Sequence, residues 1–226
     1  MTAAVVVACA AVGLVVGLVL EVIIDRVPKR EVLSTWTPQE MRATRAAAVA
    51  GITAVLFAGL ALRYHDSWAL PAFLALATGL VALSAIDLEH FLLPNRIVYP
   101  LALATLALLT LAAVGDGAWD ALGRAVLGGV AGMVTLGVLH LASPRSMGFG
   151  DVKLAFVLGL ALGWLGWGEL VLGLFCGFLA GALVGVALIA LRRRGRKDHL
   201  PFGPFLAFGT LFALLWGDMV LRWYRG

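Results

Sequence analysis

The chain has 226 residues, of which 62% are hydrophobic and 13% charged, with a formal net charge of +4. Soluble domains run at about 45–50% apolar and about 25% charged, and a globule of this size has too much surface to hide such an excess. Water-soluble, disordered and fibrous classes are excluded, and the expectation is an all-α polytopic membrane protein of about eight transmembrane helices. The two cysteines, Cys9 and Cys176, lie in apolar runs and form no CxxC pair. No disulfide framework and no cysteine zinc cluster are therefore expected. The positive balance reads as basic loops at one membrane face, not as a nucleic-acid surface.

A helix needs about 20 residues to cross the hydrocarbon core, and cutting the chain at charges and turn signals predicts spans at 2–24, 46–62, 68–86, 97–114, 122–142, 152–167, 169–191 and 201–221. The first has no basic residue ahead of it, and its charges follow it (Asp25, Arg26, Lys29, Arg30). That polarity opposes a cleavable signal and predicts a retained helix with its N-terminus outside. The segment Gly163–Gly168 supplies the turn between the sixth and seventh spans, with tryptophans suited to a membrane interface. With this topology 13 of the 17 basic residues fall on the cytoplasmic side. The loop 25–45 is too short for a separate domain, so a single membrane-embedded domain over 1–226 is expected.

Acids within or at the edge of a membrane are costly and are functional candidates. The topology puts Glu169 and Asp218 at the outer side. It puts Glu21, Asp25, Asp87, Glu89 and Asp151 at the inner one. Asp87 ends the third span, in Asp87-Leu88-Glu89-His90-Phe91-Leu92-Leu93-Pro94. Asp151 follows Gly148-Phe149-Gly150, whose glycines permit positive φ and close backbone approach, and so would place it on a tight turn before a helix. Each has an ordinary alternative: Asp151 as a helix N-cap, Asp87 as a helix-end residue paired with Arg96. Glu21 and Asp25 either meet a basic substrate or pair with Arg26 and Arg30. Two carboxylates sharing one proton can hydrolyse an amide with neither metal nor cofactor. A proton-coupled transporter relaying ions through Asp87 and Asp151 is the alternative function.

At these residues the sequence resembles the type IV prepilin peptidases, which are GxGD-type intramembrane aspartyl proteases. The resemblance rests on Asp87–Pro94, on Gly148-Phe149-Gly150-Asp151-Val152-Lys153, on Pro201-Phe202-Gly203-Pro204-Phe205-Leu206-Ala207, and on Gly17 to Arg26-Val27-Pro28. It implies removal of short basic leaders from prepilin or pseudopilin-like precursors at the cytoplasmic face of the cell membrane. Asp87 and Asp151 would be the catalytic pair. Glu89, Gly148, Gly150, Lys153 and Glu21 would bind substrate or shape the site. The chain departs from fuller family members in lacking the cysteine-rich zinc-binding insert between the first two spans. The expectation is therefore a peptidase without N-methyltransferase activity, with no metal and no methyl donor.

Overall fold

The computed structural model describes residues 2–27, 43–143, 147–191 and 200–226. Within them stand eight α-helices and no strand: α1 (Thr2–Arg26), α2 (Ala43–Tyr64), α3 (Leu70–His90), α4 (Asn95–Asp116), α5 (Trp119–Ala142), α6 (Phe149–Leu165), α7 (Trp167–Ala190) and α8 (Gly203–Arg225). The all-α polytopic expectation is met. Seven of the helices are long and apolar enough to cross a membrane. The exception is α6, whose 17 residues span about 26 Å, the low end of the membrane-spanning range. The expectation on loop 25–45 falls largely outside the described residues.

Boundaries differ from the sequence reading in two places. First, α3 continues to His90, so Asp87 and Glu89 lie inside the helix. Second, the turn after α6 occupies Gly166 alone. Gly163 and Trp164 remain helical and buried, and only Trp167 is exposed as an interface residue would be.

The chain forms two compact units. The first comprises Met1–His90 and Pro94–Trp119, the second Phe91–Leu93 and Asp120–Gly226. In the first unit α1 and α2 meet along small residues. A Cβ added at Gly13 would fall 2.9 Å from Ala54 Cα, and one at Gly17 would overlap the backbone of Ala50. Such contact replaces the missing hydrophobic drive between helices in lipid with close packing. At the other end of this unit, Asp116 accepts hydrogen bonds from the Trp68 N–H (3.3 Å) and the Ser67 hydroxyl (3.5 Å). Gly117, with φ 67°, ends α4 in the left-handed conformation.

In the second unit α6 is the buried element, with Val157 to Leu162 all inaccessible or nearly so. Its glycines pack on those of α5: a Cβ at Gly128 would lie 2.7 Å from the Gly159 carbonyl, and one at Gly132 2.7 Å from that of Ala155. Arg124 of α5 donates to the carbonyls of Gly163 (2.9 Å) and Trp164 (2.8 Å). These are orphan acceptors at the negative end of α6. Helices α7 and α8 pair through Gly177 and Gly209, where a side chain would meet backbone, while one at Gly173 would meet the Leu162 side chain of α6.

Candidate active site

In the first unit the α1 residues Gly13, Gly17 and Glu21 recur every fourth position and so share one face. The two glycines draw that face against α2, and Glu21 arrives beside Arg45 in the first turn of α2. The Arg45 Nε–H donates to both Glu21 oxygens at 2.8 and 2.9 Å. Nη2 lies 2.8 Å from Glu21 Oε1 and 3.8 Å from Asp25 Oδ1. Nη1 turns to α3 and donates to both Glu89 oxygens at 2.7 and 2.8 Å. One guanidinium thus joins three carboxylates from two helices to its own. Glu21 is 1% exposed, so without Arg45 it is the member of the pair left buried and uncompensated. Of the two roles weighed for Glu21, pairing with a base is present, and the base is Arg45; Arg30 lies outside the described residues. In the sequence Arg45 reads only as a topology-setting base. Its one legible signal is position: Glu21 closes one span and Arg45 opens the next.

Asp87 lies in the last turn of α3 and is buried. It continues the row Gly79–Leu83, and the Gly79 end of that row packs on Leu101 of α4. Glu89, two residues on, projects about 200° around the helix, toward Arg45. The chain leaves α3 through Phe91, whose φ of 54° is an uncommon conformation for a bulky side chain.

In the second unit Asp151 is also buried, but its setting differs from the one expected. Gly148 is the residue preceding α6, with extended φ −72° and ψ 147°, and Asp151 is the third residue inside the helix. Neither Gly148 nor Gly150 has positive φ. Asp151 is thus not an N-cap; from within the first turn its Oδ2 accepts the Gly148 N–H at 3.2 Å. The negative charge sits at the positive end of α6, where the helix dipole favours it. The expected close approach is present. A Cβ at Gly148 would press to 3.3 Å from Asp151 Oδ2, and one at Gly150 to 3.0 Å from Leu93 Cβ. The glycines are there for room, not for an unusual backbone. Leu93, from the greasy stretch after α3, therefore walls this turn.

His140, at the end of α5, places Nδ1 2.8 Å from the Met147 carbonyl and so secures the segment that enters Gly148. Its ring sits 5.7 Å from that of Phe149. Lys153 sets Nζ 4.9 Å from the centroid of the Phe149 ring, a cation–π contact. Asp151 also shares its face with Ala155, Gly159 and Gly163, the residues that pack on α5. The remaining motif, Pro201–Ala207, opens α8. Pro204 is in the first turn, where its missing N–H costs nothing. Phe202 packs against Phe178, the rings tilted with centroids 4.9 Å apart. Among the described residues no group of three or more His, Cys, Asp or Glu could hold a metal ion.

A family model described as the type IV leader peptidase family matches residues 74–186. The chain is 39% identical over 178 residues to a prepilin leader peptidase/N-methyltransferase of Aeromonas hydrophila, covering 76% of this chain and 59% of that protein. Identity to the protein of the same description from Pseudomonas aeruginosa is 37% over 177 residues, covering 76% and 58%. For the one from Bacillus subtilis it is 33% over 173 residues, covering 76% and 66%. The chain thus spans about three-fifths of the length of the curated relatives it matches. No solved structure matches it.

Proposed function

The chain belongs to the type IV leader peptidase family, and we propose that it is a membrane aspartyl endopeptidase that removes short basic leaders from prepilin or pseudopilin-like precursors. The observation that carries this reading is the pair of buried aspartates, each in a terminal turn of its helix and each within a motif of the family. Asp87 and Asp151 are the catalytic carboxylates. One, ionised, takes a proton from water, and the resulting hydroxide attacks the scissile carbonyl. The other, protonated, donates to the carbonyl oxygen. The tetrahedral intermediate collapses as the C–N bond breaks and the leaving amine takes up a proton. Glu89 and Glu21 shape the site through Arg45. Gly148 and Gly150 let the turn close on Asp151 and Leu93, and Lys153 steadies Phe149. Both units serve one peptidase domain, in the cell membrane, with the lipid bilayer as surroundings and the site facing the cytoplasm. The family match lends no support to the transporter reading.

The relatives' names also include N-methyltransferase. We assign no such activity to this chain, because the sequence between α1 and α2 is only Val27–Arg42 and contains no cysteine and no histidine. A zinc module takes about four such ligands at close spacing. The purified protein is expected to release the leader of a pilin-like precursor in the presence of a strong chelator and without S-adenosylmethionine. Adding the methyl donor is expected to leave the mass of the mature product unchanged. A product heavier by one methyl group, dependent on this protein, refutes that assignment, and absence of cleavage refutes the proposed activity.

Sidedness is tested separately. In a background lacking Cys9 and Cys176, His90→Cys and Met147→Cys are expected to react with an impermeant thiol reagent only from the cytoplasm. Asp120→Cys is expected to react only from outside, following the distribution of basic residues. Labelling of positions 90 and 147 from opposite faces overturns the common cytoplasmic site.

A further inference from the structure

Arg45 is placed to do more than fasten helices. Its guanidinium links Glu21 of α1 to Glu89 of α3 through bonds of 2.7 to 2.9 Å. Glu89 is in the same final turn as Asp87, on the opposite side of α3. That turn is not closed by a glycine: Phe91 follows it at positive φ. The position of the end of α3 therefore rests on what its side chains hold. The described charged groups at this end of the unit are Glu21, Asp25 and Arg26 of α1, Arg45 of α2, Asp87, Glu89 and His90 of α3, and Arg96 of α4. His90 Nε2 lies 3.9 Å from Glu89 Oε2. Of the three arginines among these groups, Arg45 is the one whose fork bridges α1 to α3.

We infer that Arg45 is a positioning residue for Asp87: it fixes the last turn of α3 against α1 through Glu89 and Glu21, and its positive charge lies between their carboxylates. The inference rests on the reading of Asp87 as a catalytic carboxylate. Two consequences separate it from a merely structural role. Losing the charge removes a positive field that favours the ionised catalytic carboxylate, because Arg45 is bonded to Glu89 in the turn that carries Asp87. The acid limb of the activity–pH profile then moves to higher pH. A partly unfolded population lowers the amount of active enzyme but leaves the profile where it was. Losing the fork while keeping the charge has the complementary effect. A lysine ammonium is a point charge and cannot engage two carboxylates with fixed geometry.

The experiment measures kcat and KM for precursor cleavage against pH, using full-length membrane-inserted wild type, Arg45→Met, Arg45→Lys and Asp87→Asn. Arg45→Met is expected to lower kcat by about tenfold or more with KM unchanged, as a displaced catalytic group does. The acid limb of its pH profile is expected to shift upward by about half a unit. Arg45→Lys is expected to keep the wild-type profile but also to lose kcat. Wild-type kcat in both variants, or a reduced kcat with an unmoved profile in Arg45→Met, overturns the inference while an inactive Asp87→Asn leaves the catalytic reading standing. If Arg45→Met does not accumulate in the membrane, Arg45→Lys decides, with kcat counted per molecule that stays folded in detergent: wild-type kcat there overturns the inference, and a reduced kcat at unchanged KM supports it. An active Asp87→Asn removes the reading beneath it and the inference with it.

Discussion

Asp87→Asn and Asp151→Asn are each expected to reduce precursor cleavage by about a thousandfold or more. Both should leave the protein's membrane level unchanged. The chemistry needs one carboxylate to accept a proton from water and one carboxylic acid to donate, and an amide does neither at any accessible pH. The change is nearly isosteric, so packing should survive. For Asp151 the retained carbonyl oxygen can still accept the Gly148 N–H, so the first turn of α6 keeps its tie. For Asp87 the asparagine side chain keeps the volume of the buried residue, so the last turn of α3 keeps its packing. Loss of activity with retained fold therefore isolates chemistry from structure. Glu169→Gln and Asp218→Asn serve as controls. Asp218 makes an exposed pair with Arg222 one turn away at 2.8 Å, a contact of the kind that contributes about 0.3–0.5 kcal/mol. Both controls should cleave at near wild-type rate. The measurement is leader release followed by mass, with membrane levels checked by immunoblot. If either Asp87→Asn or Asp151→Asn cleaves at more than a small fraction of the wild-type rate, that residue is not one of the pair.

Bilayer physics makes the helices legible. In lipid a spanning segment must satisfy its own backbone, so long apolar runs leave little choice but helix, and all eight expected spans stand close to their predicted positions. The ends are less legible, because a charge in the sequence looks like a place to cut. By that criterion Asp87 and Glu89 follow the third span, yet one is buried in the helix and the other is bonded to Arg45. A charge that finds a partner no longer marks a boundary. Arg45 itself is hidden for the same reason. A basic residue near a span end has an adequate topological explanation, and only the packing of Gly13 and Gly17 on α2 brings it to Glu21. The Gly148–Gly150 pair is legible as a place of close approach but not as a backbone conformation. Glycine permits positive φ without requiring it, and here its use is to leave room for Leu93 and for the Asp151 carboxylate.

Gly159→Ala should be severely damaging although it adds a single methyl group, and opposite in sign to the same change at Gly123. In water-exposed helix positions, replacing glycine by alanine stabilises by about 0.5–1 kcal/mol through backbone entropy. At Gly123, near the start of α5, a Cβ has nothing within 4 Å, so only the entropic gain is expected. At Gly159 the new methyl would overlap the Gly128 carbonyl and stand 2.8 Å from Gly129 Cα. These are backbone atoms, so no rotamer change relieves the clash. Helices α5 and α6 must separate, and small-residue contact is what holds helices together in lipid. The gap cannot stay local. Gly128 meets Gly163 as well as Gly159, and Gly132 meets Ala155, so the displacement spreads along the face of α6 that ends in Asp151. A shift of about 1 Å in a catalytic group can cost about a hundredfold in rate. Gly159→Ala is therefore expected to lose activity by that order while lowering the midpoint of thermal unfolding in detergent. Gly123→Ala should retain activity and raise that midpoint slightly. Equal behaviour of the two variants would mean that the α5–α6 crossing neither sets the position of Asp151 nor limits stability.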